Sequence, residues 1–106
     1  GLLRSVSEAD SDLIGIEQRA LQLDVLAEVT RRVIDVVTAQ ERVRFAAESS
    51  KLAQQTLDAI TARVEAARAP IAEASRARIA VTRALIEERQ TTTALRSARY
   101  ALASSI

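Results

Sequence analysis

The sequence has no cysteine, histidine, methionine or tryptophan, and only one phenylalanine and one tyrosine. Without cysteine there is no disulfide framework, and the redox compartment stays open. Without His or Cys, no Ser/His/Asp or Cys/His nucleophile set can be assembled. Carboxylates are then the only strong metal ligands, and they are scattered along the chain rather than clustered. No catalytic residue, metal site or cofactor is therefore expected, and the segment is not expected to be an enzyme. Two glycines and one proline leave little room for turns, and the isolated glycines build no phosphate-cradling loop. Fifteen basic against fourteen acidic residues give a formal net charge of +1, without the concentrated positive charge of a nucleic-acid binder. No stretch stays apolar and uncharged for the roughly 18 residues a membrane span needs. No signal peptide is recognisable, and a chain opening at Gly1 is expected to be a piece of a larger protein.

What remains is helical material. Alanine supplies 21 of 106 residues, a bias toward long helices, and the length allows one domain at most. Residues 1–12 are polar and weakly periodic; Ser7 followed by Asp10, or Ser11 ahead of the apolar run, offers a helix cap, and fraying is expected there. From Leu13 the period is helical. Leu13, Ile16, Ala20, Leu23, Ala27, Thr30, Ile34 and Val37 follow alternating steps of three and four, the spacing of a coiled-coil seam. A second stripe runs beside it through Leu26, Val29, Val33 and Val36. Two seams on one helix imply neighbours on both sides, as in a ring or tube of helices. Burial in an ordinary bundle would also give a wide apolar arc. The β-branched run Val33–Thr38 reads as helix, because propensity differences of a few tenths of a kcal/mol per residue yield to packing.

Below that point the seam shifts by one step. Val43, Ala46, Ser50, Ala53, Leu57, Ile60, Val64 and Ala67 form one unbroken series. After the only proline comes another: Ala74, Ala77, Val81, Ala84, Glu88, Thr91, Leu95, Ala98 and Leu102. Folding the chain at 68–73 pairs the two series antiparallel, from Ala67 with Ala74 to Val43 with Ala98. Small residues recur in these layers, so the helices can approach closely. The Ala53–Glu88 and Ser50–Thr91 layers are polar and should be the weak, wet part of the seam. Pro70 suits the first turn of a helix and pushes Ala69 out of the α region. Glu73 then favours the dipole of the second helix. Glu65–Arg68 and Glu73–Arg76 are i,i+3 pairs, each contributing about 0.2–0.5 kcal/mol where formed. Adjacent Glu87 and Glu88 point about 100° apart on a helix, so they read as an exposed residue and a seam residue rather than a catalytic pair. Arg31-Arg32 reads as a solvated edge.

The prediction is an all-α fold: a long antiparallel coiled-coil hairpin with unequal arms, one helix over about residues 10–67 and a shorter one over about 70–103. At 1.5 Å per residue the arms run about 85 Å and about 50 Å. Residues before about Ala39 have no partner in this chain, yet they carry most of the Leu, Ile and Val. The isolated chain is expected to self-associate through Leu13–Val37.

The stretches Ala20–Val43, Leu52–Ile60 and Ala62–Pro70 resemble the long-helix pattern of TolC-like outer membrane efflux proteins, and in particular the heavy-metal, cobalt–zinc–cadmium-type branch. The likeness runs from about Arg4 to Leu102, and it lies in the order and spacing of alanine-rich motifs. It implies a homotrimer whose outer membrane β-barrel continues into a periplasmic tube of long helices. Each subunit would contribute two similar repeats, and the opening Arg4–Ala9 is similar to the exit from a first-repeat strand. The chain, residues 1–106, would be one periplasmic hairpin of such a protein, the barrel and the rest of the tube lying outside it. Family tips read aromatic-x-x-Gly, then small or polar residues, then an acidic residue. Here Val64 stands at the aromatic position, Ala67 replaces the glycine and Glu73 takes the acidic position. By that resemblance Arg63, Glu65, Arg68, Glu73 and Arg76 are candidates for contact with a periplasmic adaptor, and through it an inner-membrane RND pump, or for gating. Their alternative role is to solubilise and cap the turn. Two other readings are the adaptor's own hairpin and a cytosolic coiled-coil scaffold.

Overall fold

A computed structural model describes residues 1–106. It contains two helices and nothing else of regular structure: α1, Leu2–Glu65, and α2, Ile71–Ser105. They lie antiparallel in a rod of 98 × 17 × 15 Å with a radius of gyration of 27.1 Å. A globular chain of this length would have a radius near 13 Å. The fold is the predicted all-α hairpin with unequal arms of 64 and 35 residues.

The seam is the predicted one. Every residue of the two lower series is buried or half-buried, with the single exception of Ala67. The five buried residues are all small or medium: Ala39, Ala46, Ala74, Ala77 and Val81. Ala74, at 2% exposure, is the most deeply buried residue, in the close-packed layer beside the turn. Alanine faces permit this because no long side chain holds the backbones apart. The run Val33–Thr38 is helical throughout.

Several boundaries differ from expectation. The polar segment 1–12 is helical from its start: α1 begins at Leu2 after Gly1, with no side-chain cap, so neither Ser7 nor Ser11 acts as one. Nothing in the segment breaks a helix, and an Arg4–Glu8 i,i+4 pair at 3.5 Å spans one of its turns. At the other end α1 stops at Glu65, two residues early, because Ala67 leaves the right-handed region with φ 57°. Helix α2 runs to Ser105 rather than Ala103; continued at the predicted spacing, the layers reach Ala39 with Leu102 and Val36 with Ser105, all four buried or half-buried. The unpaired overhang is thus residues 2–35, about 50 Å of helix.

The overhang has no core. Leu13, Ile16, Leu23, Ile34 and Val37 of its leading seam are 52–65% exposed. Of the 21 exposed large hydrophobic residues in the chain, 13 lie at or before Val37, so the most apolar third of the molecule is also the least covered. The total accessible surface is 8422 Å², against about 5,800 Å² for a compact monomer of this mass.

Candidate functional site

The tip joining the helices is set by backbone hydrogen bonds. The Ala66 amide donates to the Ala62 carbonyl at 3.1 Å, closing the last turn of α1. The Ala67 amide then donates to Val64 at 3.0 Å and the Arg68 amide to Arg63 at 2.8 Å. With Ala67 left-handed, this pair of bonds is a Schellman motif, which satisfies carbonyls that a helix end otherwise leaves open. Glycine normally takes this position, since a Cβ in the left-handed region costs roughly 1–2 kcal/mol. Pro70, at φ −74° and ψ 150°, then turns the chain, and its carbonyl accepts from the Glu73 amide at 3.0 Å to open α2.

Around this turn the five predicted site residues come together. Arg63, Glu65, Arg68 and Arg76 are exposed, and Glu73 is half-buried. Arg63 sits in the last turn of α1 and Glu73 in the first turn of α2, each where its charge favours the helix dipole, at roughly 0.3–1 kcal/mol. The predicted Glu65–Arg68 and Glu73–Arg76 ion pairs are not formed; the only ion pairs lie on α1, between Arg4 and Arg44. For the first pair the reason is geometric: Arg68 follows the left-handed residue and has left the helical surface on which i,i+3 neighbours meet. For Glu73 and Arg76, both within α2, nothing in the structure explains the separation. The tip therefore presents three cations and two carboxylates without intramolecular ion partners.

Two further features lie along the hairpin. Between α1 and α2 an open groove of about 950 Å³ is bordered by Ala39, Arg42, Phe45, Glu87, Gln90 and Ala94, among others. The only phenylalanine stands at its edge, 70% exposed, a position sequence reasoning passed over because it falls off both seams. The polar layers are next to it. Glu88 and Thr91 are half-buried, and the Glu88 carbonyl accepts from the Thr91 hydroxyl at 2.8 Å and the Thr92 hydroxyl at 3.0 Å. These hydroxyls bond their own helix and make no bond across the seam, so the layer holds the helices together weakly. Glu87 is exposed beside it, as the spacing predicts.

The second feature is the overhang. A shallow groove of about 390 Å³ runs along Leu21, Gln22, Val25, Leu26 and Val29. A network links Glu28 to Arg31 at 3.4 Å and to Arg32 at 2.9 Å, with Arg32 reaching Asp35 at 3.6 Å. The Arg31-Arg32 edge is thus tied to carboxylates on its own helix. Nowhere do three or more carboxylates converge on one point, and no helix is long and apolar enough to cross a membrane. Comparison with family models, with curated proteins and with solved structures returns no match.

Proposed function

We propose that this chain is a conduit segment: a periplasmic helical hairpin of the homotrimeric outer membrane channel of a tripartite, RND-type efflux system. The observation that carries the reading is the pairing of unequal arms with an apolar overhang. A helix of 64 residues has a partner along only half its length. The other half exposes aliphatic side chains on more than one face, including Leu23 and Ile34 on one side and Leu21 and Val25 on another. A wall built of laterally packed helices gives such a segment neighbours on both sides. The segment works structurally, by lining and gating a channel, and performs no bond chemistry. In this reading the overhang lies within the tube and Ala66–Pro70 is its distal tip. Arg63, Glu65, Arg68, Glu73 and Arg76 meet the adaptor that leads to the inner-membrane pump. Heavy-metal cations as cargo follow from the likeness to the cobalt–zinc–cadmium-type branch.

An adaptor hairpin, the nearest alternative, usually has arms of similar length, and 64 against 35 residues disfavours it. The test is charge reversal at the tip of the full-length protein. Arg68→Glu combined with Glu73→Arg should abolish resistance conferred by the efflux system while leaving the trimer intact on native gels. Unchanged resistance would reduce these residues to parts of a turn. Flanking sequence without amphipathic β-strands would remove the channel reading altogether.

A further inference from the structure

The overhang has an apolar stripe whose position and composition identify what covers it. Residues facing α2 at the end of the paired region are Val36, Ala39, Val43 and Ala46. At the same level the overhang seam is represented by Ile34 and Val37. At 100° per residue the two directions differ by about 160°. The stripe therefore runs down the back of α1, and a helix continuing the line of α2 would not touch it. Traced toward the N-terminus it gains two members, giving Val6, Ala9, Leu13, Ile16, Ala20, Leu23, Ala27, Thr30, Ile34 and Val37 in unbroken steps of three and four. All ten are exposed. Continued toward the tip, the same face becomes Glu41, Arg44, Glu48, Lys51, Gln55 and Asp58. The change from apolar to charged falls within one turn of the point where α2 ends, at the Val36–Ser105 layer.

The stripe is also complementary to itself. Reversed about the midpoint between Leu21 and Gln22, the three–four spacing maps onto itself, and four of the five layers then set a larger side chain against a smaller one. Ala20 meets Leu23, Ile16 meets Ala27, Leu13 meets Thr30 and Ala9 meets Ile34, with Val6 against Val37 closing the end. Such alternation fills the space between two helices without voids or clashes. It is the pattern of an isologous two-fold contact, in which the same patch serves both partners.

We infer that two copies of this chain pair antiparallel through this stripe, overhang against overhang, with the two hairpins pointing away from each other. A strip about 47 Å long and 15–20 Å wide covers on the order of 800 Å² per copy, the size of a standard stable interface. The pairing is that of the 106-residue chain on its own; it does not rest on the conduit reading, in which all subunits point the same way and the same stripe is covered by neighbouring helices of the tube. The flanking charges do not choose the orientation but make it testable. In this register Asp10 lies opposite Arg31 of the other copy, an attractive pair, and Glu17 lies opposite Asp24, a repulsive one. In a parallel in-register pair Asp24 would instead lie opposite Arg19, an attractive contact. Asp24→Lys therefore tightens the antiparallel dimer and weakens a parallel one.

Sedimentation equilibrium of the 106-residue chain and of its Asp24→Lys form tests this, together with a spin label on a Ser7→Cys variant. A dimer is expected, tightened roughly three- to tenfold by the substitution, because two exposed pairs change from repulsion to attraction. Labels at position 7 should sit about 44 Å apart along the axis, against less than 20 Å in a parallel pair. Leu23→Asp should leave a monomer that keeps at least the helical circular dichroism expected of the paired region. A wild-type chain that stays monomeric at 100 µM, forms a trimer or larger assembly, gives the short label distance, or is weakened by Asp24→Lys would overturn the proposal. Loss of efflux after tip charge reversal is a separate outcome, so either reading can fail alone.

Discussion

The two halves of α1 solve opposite problems. From Val36 to Val64 the helix faces α2 with a seam in which Ala39, Ala46, Ser50 and Ala53 stand among five larger aliphatics, and its outward face carries charge. From Leu2 to Asp35 it carries most of the chain's large exposed aliphatics and has nothing beside it. Hydrophobic burial contributes about 25 cal/mol per Å² of apolar surface removed from water. The paired half obtains stability from close approach and little area. The overhang holds most of the area and uses none of it within one chain. Apolar content and packing are therefore separated along a single helix, and the end rich in Leu, Ile and Val is the one that nothing within the chain covers.

The sharpest way to break that comparison is to place the same substitution in each half. Val81 is 9% exposed in the third layer from the tip, and Val81→Asp buries a carboxylate without a partner there. We expect a loss of about 3 kcal/mol, seen as a lower urea midpoint. Ile14 is 55% exposed and lies off the self-complementary stripe, and Ile14→Asp should change the midpoint by less than about 0.5 kcal/mol. Equal losses at both sites would show that the overhang is packed after all.

A smaller effect sharpens the picture inside the paired half. Glu88 faces Ala53 in the predicted layer and is half-buried. Glu88→Leu converts a polar layer into a large-on-small one and should raise stability by about 1–2 kcal/mol in the same titration. No gain would mean that the helices are held apart at this level. Smaller again is the turn. Ala67→Gly removes the strain of a left-handed Cβ and should raise the melting temperature by the equivalent of about 1 kcal/mol, while the β-branched Ala67→Val should lower it by more.

Much of this fold was legible because its determinants are periodic. Seam residues from Val43 to Val64 and from Ala74 to Leu102 share one constant pairing, so the antiparallel register follows from spacing alone. The turn was harder. Alanine has no preference for positive φ, so nothing in Ala66-Ala67-Arg68 announces a Schellman motif; only the missing glycine at Ala67 marked the position. The N-terminal start was misjudged because Ser7, Asp10 and Ser11 resemble caps, whereas a cap matters only where the preceding residues cannot themselves be helical. That Arg63, Glu65, Arg68, Glu73 and Arg76 flank the turn was legible, since their location depends only on the fold point. The missing Glu65–Arg68 pair was not legible, because it depends on where one backbone angle takes Arg68.

The left-handed turn at Ala67 also has a kinetic meaning. Val64 and Ala77 are thirteen residues apart in sequence, while Val36 and Ser105 are 69 apart. Each layer laid down from the tip brings the next pair within reach, so loop-closure entropy opposes only the first contact and then falls away. The hairpin is expected to close like a zipper from Ala67 upward, with the rate of closure set at the turn. Substitutions at Ala67 or Ala74 should then act on the folding rate, and those at Ala39 or Leu102 on the unfolding rate. The residue that costs the folded chain most in local strain is also the one that governs how quickly the folded chain appears.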